Sequence, residues 1–225
     1  MYELKGSVVA LITPMNHSGH FNEEVMGQLL SWHHESATDA LLILGSTGEG
    51  TLFSLEEREK IIKYVMAHKD NKMPTWVGVG HSNPDQVKAL IHQADQLGTD
   101  GVMVPCPMYI KPSQQGMIKY FTELADFSAL PVLLYNIPSR TGAMLDVESA
   151  CILSHHSNII GIKDSSISVD RMHAYQDSAD DFEVFCGDDT QKLTCLANGG
   201  VGVISVMANL LPELVHAFCS LSEHG

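Results

Sequence analysis

Residues 131–164, PVLLYNIPSRTGAMLDVESACILSHHSNIIGIKD, hold two short apolar runs, 131–136 and 159–164, with a helix-like stretch between them. Both runs are continuous rather than alternating, which is how strands covered on both faces look. Pro138 and Gly142 set a turn after the first run, and Asp146 stands where an N-cap belongs, ahead of Ile152 and Leu153. The stretch therefore reads as strand, turn, helix, strand, with the two strands parallel.

Similar runs recur on either side, at 8–13, 40–45, 76–80 and 101–106 before it and at 182–187 and 202–206 after it. That makes eight, starting about every 20 to 35 residues, a spacing that admits a crossover helix each time. Helix punctuation fills the intervals. Ser54-Leu55-Glu56-Glu57 is a capping box before Ile61, Ile62, Val65 and Met66. Asn83-Pro84 opens a stripe of Val87, Leu90, Ile91, Ala94 and Leu97 that Gly98 ends, and Ser113 precedes Met117, Tyr120, Phe121 and Leu124. A last helix is expected over 212–221. No linker, repeat or charge block breaks the series, so the chain reads as one (β/α)8 TIM barrel domain over 1–225 rather than an open doubly wound sheet.

Composition narrows the functions. The 225 residues carry 13 Lys plus Arg against 27 Asp plus Glu, a formal net charge of -14. So few cations argue against nucleic acid or an anionic membrane as partner. Five dispersed cysteines without a C-x-x-C pair read as reduced thiols in a cytoplasmic protein. No run of eighteen apolar residues is present, and the short run at 8–12 has no small-residue cleavage site after it.

Barrels of this type carry their chemistry at the carboxyl ends of the strands. There Lys163 ends an otherwise apolar run. Pointing inward, its amine would be desolvated and kept neutral, able to attack a carbonyl; pointing outward, it would curl into water. Tyr135 lies at the same relative depth one strand earlier, either as a proton relay or as a core aromatic whose hydroxyl has found a partner. Arg140, in the loop after that strand, could grip a carboxylate bidentately. Gly45-Ser46-Thr47-Gly48-Glu49-Gly50 offers backbone N–H groups and hydroxyls to an anion, though it lacks the pattern of a nucleotide-binding loop. The histidine pairs His33-His34 and His155-His156 have no metal-ligand spacing and read as surface or cap residues, so no metal is expected. Asp188-Asp189, after Gly187, reads most simply as an N-cap for the following helix.

Taken together, Gly45–Glu49, Tyr135–Gly142, Gly161-Ile162-Lys163 and Gly202-Val203-Ile204-Ser205 resemble the dihydrodipicolinate synthase and N-acetylneuraminate lyase family, from about Lys5 to the chain's end. The resemblance implies a pyruvate-dependent class I aldolase working without metal or other cofactor. It further implies that Lys163 forms the Schiff base and that Ser46 and Thr47 hold the pyruvate carboxylate and join a proton relay centred on Tyr135. Tyr109 matches a tyrosine that completes the relay in a neighbouring subunit, so a homo-oligomer, dimer or tetramer, is expected. Arg140 matches the residue that receives the second substrate, and Gly187 and Ile204 match backbone positions lining the pyruvate pocket.

The run Ser139-Arg140-Thr141-Gly142 favours the synthase branch, whose second substrate, aspartate 4-semialdehyde, offers Arg140 a carboxylate. Ser46, where that branch commonly has Thr, is instead the habit of the sialic-acid lyases. The rivals are therefore a lyase for N-acetylneuraminate or another 2-keto-3-deoxy sugar acid, and a pyruvate-binding protein without turnover. Two departures stand out. Gly50, Leu55, Arg58, Gln86 and Met108 occupy positions where polar or acidic ligands for lysine would be expected, which argues against lysine feedback. The sequence ends at Gly225, where the family continues through further helices, so that helical extension is expected to be absent.

Overall fold

The computed structural model describes residues 4–166, 168–179 and 181–222; the ends of the expected domain, 1–3 and 223–225, lie outside the described residues. Each apolar run forms a strand: β1 (Gly6–Ala10), β2 (Ala40–Ile43), β3 (Thr75–Gly78), β4 (Gly101–Pro105), β5 (Val132–Asn136), β6 (Ile159–Asp164), β7 (Glu183–Cys186) and β8 (Gly202–Ser205). They pair in chain order, all parallel, and β8 returns to β1 to close the barrel. The helices are α1 (Glu23–Glu35), α2 (Leu55–His68), α3 (Pro84–Gln96), α4 (Gln114–Phe127), α5 (Pro138–Thr141), α6 (Val147–Ser154), α7 (Val169–Gln176), α8 (Lys192–Ala197) and α9 (Pro212–Ser222). The expected caps are in place: Ser54 and Glu57 form both halves of the capping box, and Asn83, Ser113 and Asp146 each accept a first-turn N–H.

Alternation along the strands separates two apolar layers. Val8, Ala10, Ala40, Leu42, Trp76, Met103, Leu133, Tyr135, Phe185 and Ile204 point into the barrel. Val9, Leu41, Ile43, Val77, Val104, Leu134, Ile162 and Val184 point out and pack with Ile61, Ile62, Ile91, Phe121 and Leu153 of the helices. Because both faces are covered, both sets are mostly apolar and the runs are nearly continuous in sequence, the buried polar residues Asn136, Lys163, Asp164 and Ser205 standing at strand ends.

Two sequence expectations need correction here. His33 is buried in α1, with Nδ1 2.9 Å from Thr38 Oγ1, rather than on the surface. Adjacent helical residues point roughly 100° apart, so one of the pair faces inward while His34 meets Asp70 outside at 3.1 Å. Burial lowers the His33 imidazole pKa to about 4, which keeps the ring neutral. Asp188 and Asp189 do not cap α8, whose N-cap is Gln191 and makes no side-chain bond. Asp189 instead accepts hydrogen bonds from Ser205 Oγ and from the N–H groups of Val206 and Met207, tying the loop after β7 to the turn after β8.

Candidate active site

The β5–β6–β7 register sets Tyr135, Lys163 and Phe185 side by side across three strands. Tyr135 is 4% exposed and Lys163 3%, and the Lys163 Nζ lies 4.3 Å from the centre of the Tyr135 ring. Lys163 thus points inward, the first of its two possible orientations. Burial pushes its pKa below the ordinary lysine range, while Tyr135, Asp189 and Cys186 pull it partly back. A base whose charged form is poorly solvated supplies more free amine near neutral pH. Gly187 keeps room for it: a Cβ there would stand 3.1 Å from Lys163 Cε.

At the barrel mouth a cavity of about 200 Å³ is lined by Gly45, Ser46, Met108, Tyr135, Ile137 and Arg140 among others. Three of the residues singled out in the sequence, Ser46, Tyr135 and Arg140, therefore share one space, and Tyr135 joins it to the buried amine. Thr47 neighbours Ser46 in the turn after β2 but does not line the cavity. Ile204 is 1% exposed among the inward-facing strand residues. Tyr109 is 90% exposed, at a backbone φ of 73°, and is not among the residues lining this cavity. The positive φ is costly for a bulky side chain.

Behind the two inward residues, their chain neighbours Asn136 and Asp164 face outward into a buried polar network. Asp164 is fully buried and accepts from Tyr175 OH at 2.7 Å, Ser166 N at 2.6 Å, and Arg171 Nε and Nη2 at 3.3 and 3.2 Å. Asn136 Nδ2 donates to both Asp164 oxygens, and its Oδ1 accepts from Leu145 N at 3.1 Å. Arg171 Nη2 donates to Leu145 O at 2.9 Å. The end of the loop bearing Arg140 is thereby fastened to the strand bearing Lys163.

Sequence reading missed Asp164, Arg171 and Tyr175. The only local signal was a carboxylate directly after the strand-end lysine, which looks like any solvated strand end until α7 folds over it. The described residues include no group of three or more His, Cys, Asp or Glu side chains able to hold a metal ion, and no described helix is long and apolar enough to cross a membrane. The site's means are thus a desolvated amine, a phenol, hydroxyls and a guanidinium, a set suited to imine chemistry on a carboxylate-bearing carbonyl compound.

Known proteins share this arrangement of fold and sequence. A 4-hydroxy-tetrahydrodipicolinate synthase of Coxiella burnetii is 38% identical over 220 residues, covering 98% of this chain and 75% of the relative. Another, from Neisseria meningitidis, is 37% identical over 223 residues, with 99% and 77% covered. Among solved structures, dihydrodipicolinate synthase from Aquifex aeolicus superposes with a TM-score of 0.94 at 34% identity, covering 99% of this chain and 76% of that one. The chloride-inhibited enzyme of Acinetobacter baumannii, complexed with pyruvate, gives 0.95 at 32% identity, with 99% and 77% covered. The profile of the dihydrodipicolinate synthetase family matches residues 3–225, and the chain belongs to that family.

Proposed function

We propose that the protein is a Schiff-base aldolase that condenses pyruvate with L-aspartate 4-semialdehyde to 4-hydroxy-tetrahydrodipicolinate, a step toward diaminopimelate and lysine, with Lys163 as the nucleophile. The observation that carries this reading is the buried Lys163 amine over the Tyr135 ring, next to a cavity that Ser46 and Arg140 also line.

The Lys163 nitrogen lone pair attacks C2 of pyruvate, and the carbinolamine loses water to leave a protonated imine. A proton leaves C3, the electron pair moves into the C2–C3 bond, and the resulting enamine attacks the aldehyde carbon. The aldehyde oxygen takes up a proton as the new carbon–carbon bond forms. The acceptor's own amine then attacks C2, closes the ring and displaces Lys163. Tyr135, with Ser46 or Thr47, is placed to shuttle protons at each stage. The turn holding Ser46 and Thr47 faces the pyruvate carboxylate, Gly187 and Ile204 back the pyruvate site, and Arg140 grips the acceptor carboxylate.

Tyr109 serves a partner subunit in this reading. A tyrosine 90% exposed on a strained backbone has little reason to persist in a monomer, and a second copy supplies the cover it lacks. A homo-oligomer of dimeric or tetrameric order follows, with the single barrel as its catalytic unit. A cytoplasmic setting agrees with five cysteines that are all free.

Turnover decides the reading. Assayed with pyruvate and a panel of aldehydes, the protein is expected to consume aspartate 4-semialdehyde with the highest kcat/KM, and Lys163→Ala to lose that activity by at least about 10³-fold. Cleavage of N-acetylneuraminate with higher kcat/KM would transfer the assignment to the lyase branch. Pyruvate binding with no turnover on any acceptor would leave only a binding protein.

A further inference from the structure

Arg58, in α2, is 3% exposed, yet no carboxylate forms an ion pair with it among the described residues. Its Nη1 donates to Gly50 O at 2.9 Å and its Nη2 to Gly78 O at 2.7 Å, while Nε has no partner. Burial lowers its pKa to about 10, so the guanidinium is still charged at neutral pH. A buried, unpaired cation is expensive, and a well-packed apolar side chain would serve stability at least as well. Core packing alone therefore does not account for a guanidinium at this position.

Its acceptors suggest what. Gly50 closes the turn that follows β2, and Gly78 ends β3 and lines the mouth cavity. The turn is strained at both ends, since Leu44 and Glu49 each adopt a φ of 54°, a left-handed conformation that side chains other than glycine avoid. Such strain persists only where the surroundings over-determine it. Four bonds do so: Thr13 Oγ1 to Gly48 O at 2.6 Å, Glu49 N to Ser46 O at 3.3 Å, Gly50 N to Gly45 O at 3.1 Å, and Arg58 to Gly50 O. Arg58 is the one that fastens the turn to the next strand. Its own place is set by the Ser54 capping box, which starts α2 four residues earlier.

We infer that Arg58 is a positioning residue for the substrate's carboxylate: by clamping the turn 44–50 to the end of β3, it holds Ser46 at the cavity and Thr47 beside it. This rests on the assignment of pyruvate to Lys163 and deepens it. A planar fork bonded to one carbonyl in the turn and one at the end of β3 does this, whereas an ammonium can satisfy both only by bending out of line with one.

The test compares Arg58→Lys, Arg58→Met and a control, Ile61→Val, which removes packing from the same helix without touching the turn. For each, the pyruvate KM, kcat and the fraction of chains trapped by borohydride at saturating pyruvate are measured alongside the melting temperature. The expected result is a pyruvate KM raised about tenfold or more in Arg58→Met and severalfold in Arg58→Lys, with full trapping at saturation and the control's KM unmoved. KM values within twofold of the parent in either folded variant, or a rise matched by the control at equal loss of stability, would make Arg58 merely structural. If Arg58→Met does not fold, Arg58→Lys decides alone. Failure of the parent protein to trap pyruvate would instead remove the aldolase assignment, so the two failures are told apart.

Discussion

The reactivity proposed for Lys163 depends on where its nitrogen sits, and the residues around it make that dependence measurable. A methyl group at position 187 would overlap Ser165 Oγ and press on Asp164 O and Lys163 Cε, each at 3.1 Å, so Gly187→Ala is expected to cut kcat by about 10- to 100-fold through misplacement of the amine, a loss of activity that exceeds the accompanying loss of stability. Equal losses of activity and stability would show that the glycine serves folding instead. The lowered lysine pKa has its own signature. The rate of pyruvate trapping should level off at a pH below the ordinary lysine value of 10.5, because burial disfavours the charged form of the amine. A plateau reached only at or above that value would mean a solvated ammonium. Neither Gly187's closeness to the amine nor the amine's inward orientation was readable residue by residue. The sequence left the side chain free to point either way, and only barrel closure settles it.

At the scale of elements, the Asp164–Arg171 pair is the hinge of the site. Arg171→Met leaves a fully buried carboxylate without its cation and is expected to cost about 3 kcal/mol in urea unfolding, with Tyr175, Ser166 and Asn136 limiting the loss. Because Leu145 also loses its anchor, the KM for the aldehyde should rise more than that for pyruvate; equal rises would break the link between this network and the Arg140 loop. A second element-level effect concerns α1. Folded His33 titrates near 4, whereas an unfolded histidine titrates near 6.5, so between these values the unfolded chain takes up a proton that the folded one refuses. That stability is complete above pH 6.5 and is lost as the pH falls toward 4, by about 3 kcal/mol at most. His33→Leu should flatten the urea-midpoint profile across that window, and an unchanged slope would exonerate the imidazole. Strands and capped helices were legible because their signals are local: continuous apolar runs, and Ser, Asn or Asp ahead of a helical stripe. The Asp164 network, the burial of His33 and the true partners of Asp189 were not, because each depends on an element distant in sequence folding back against it.

For the molecule as a whole, eight strand–helix units close a ring that gathers Tyr135 from the end of β5, and Ser46 and Arg140 from the segments after β2 and β5, onto one cavity, with Lys163 beside it. This convergence was legible in outline, since strand order alone puts the carboxyl ends of β2, β5 and β6 at one rim. Tyr109 is the exception, being exposed and outside the cavity lining, and in the proposed reading its role belongs to an assembly. Tyr109→Ala is expected to lower kcat by about 100-fold, the lower end of the range for loss of a proton-relay group, and to weaken self-association in sedimentation. A monomeric parent with full activity would dismiss the partner's contribution. The most direct measurement of the central claim is borohydride reduction in the presence of pyruvate followed by peptide mass mapping. The account expects one adduct, on the peptide bearing Lys163, that Lys163→Ala abolishes; no adduct, or one on another lysine, would contradict it.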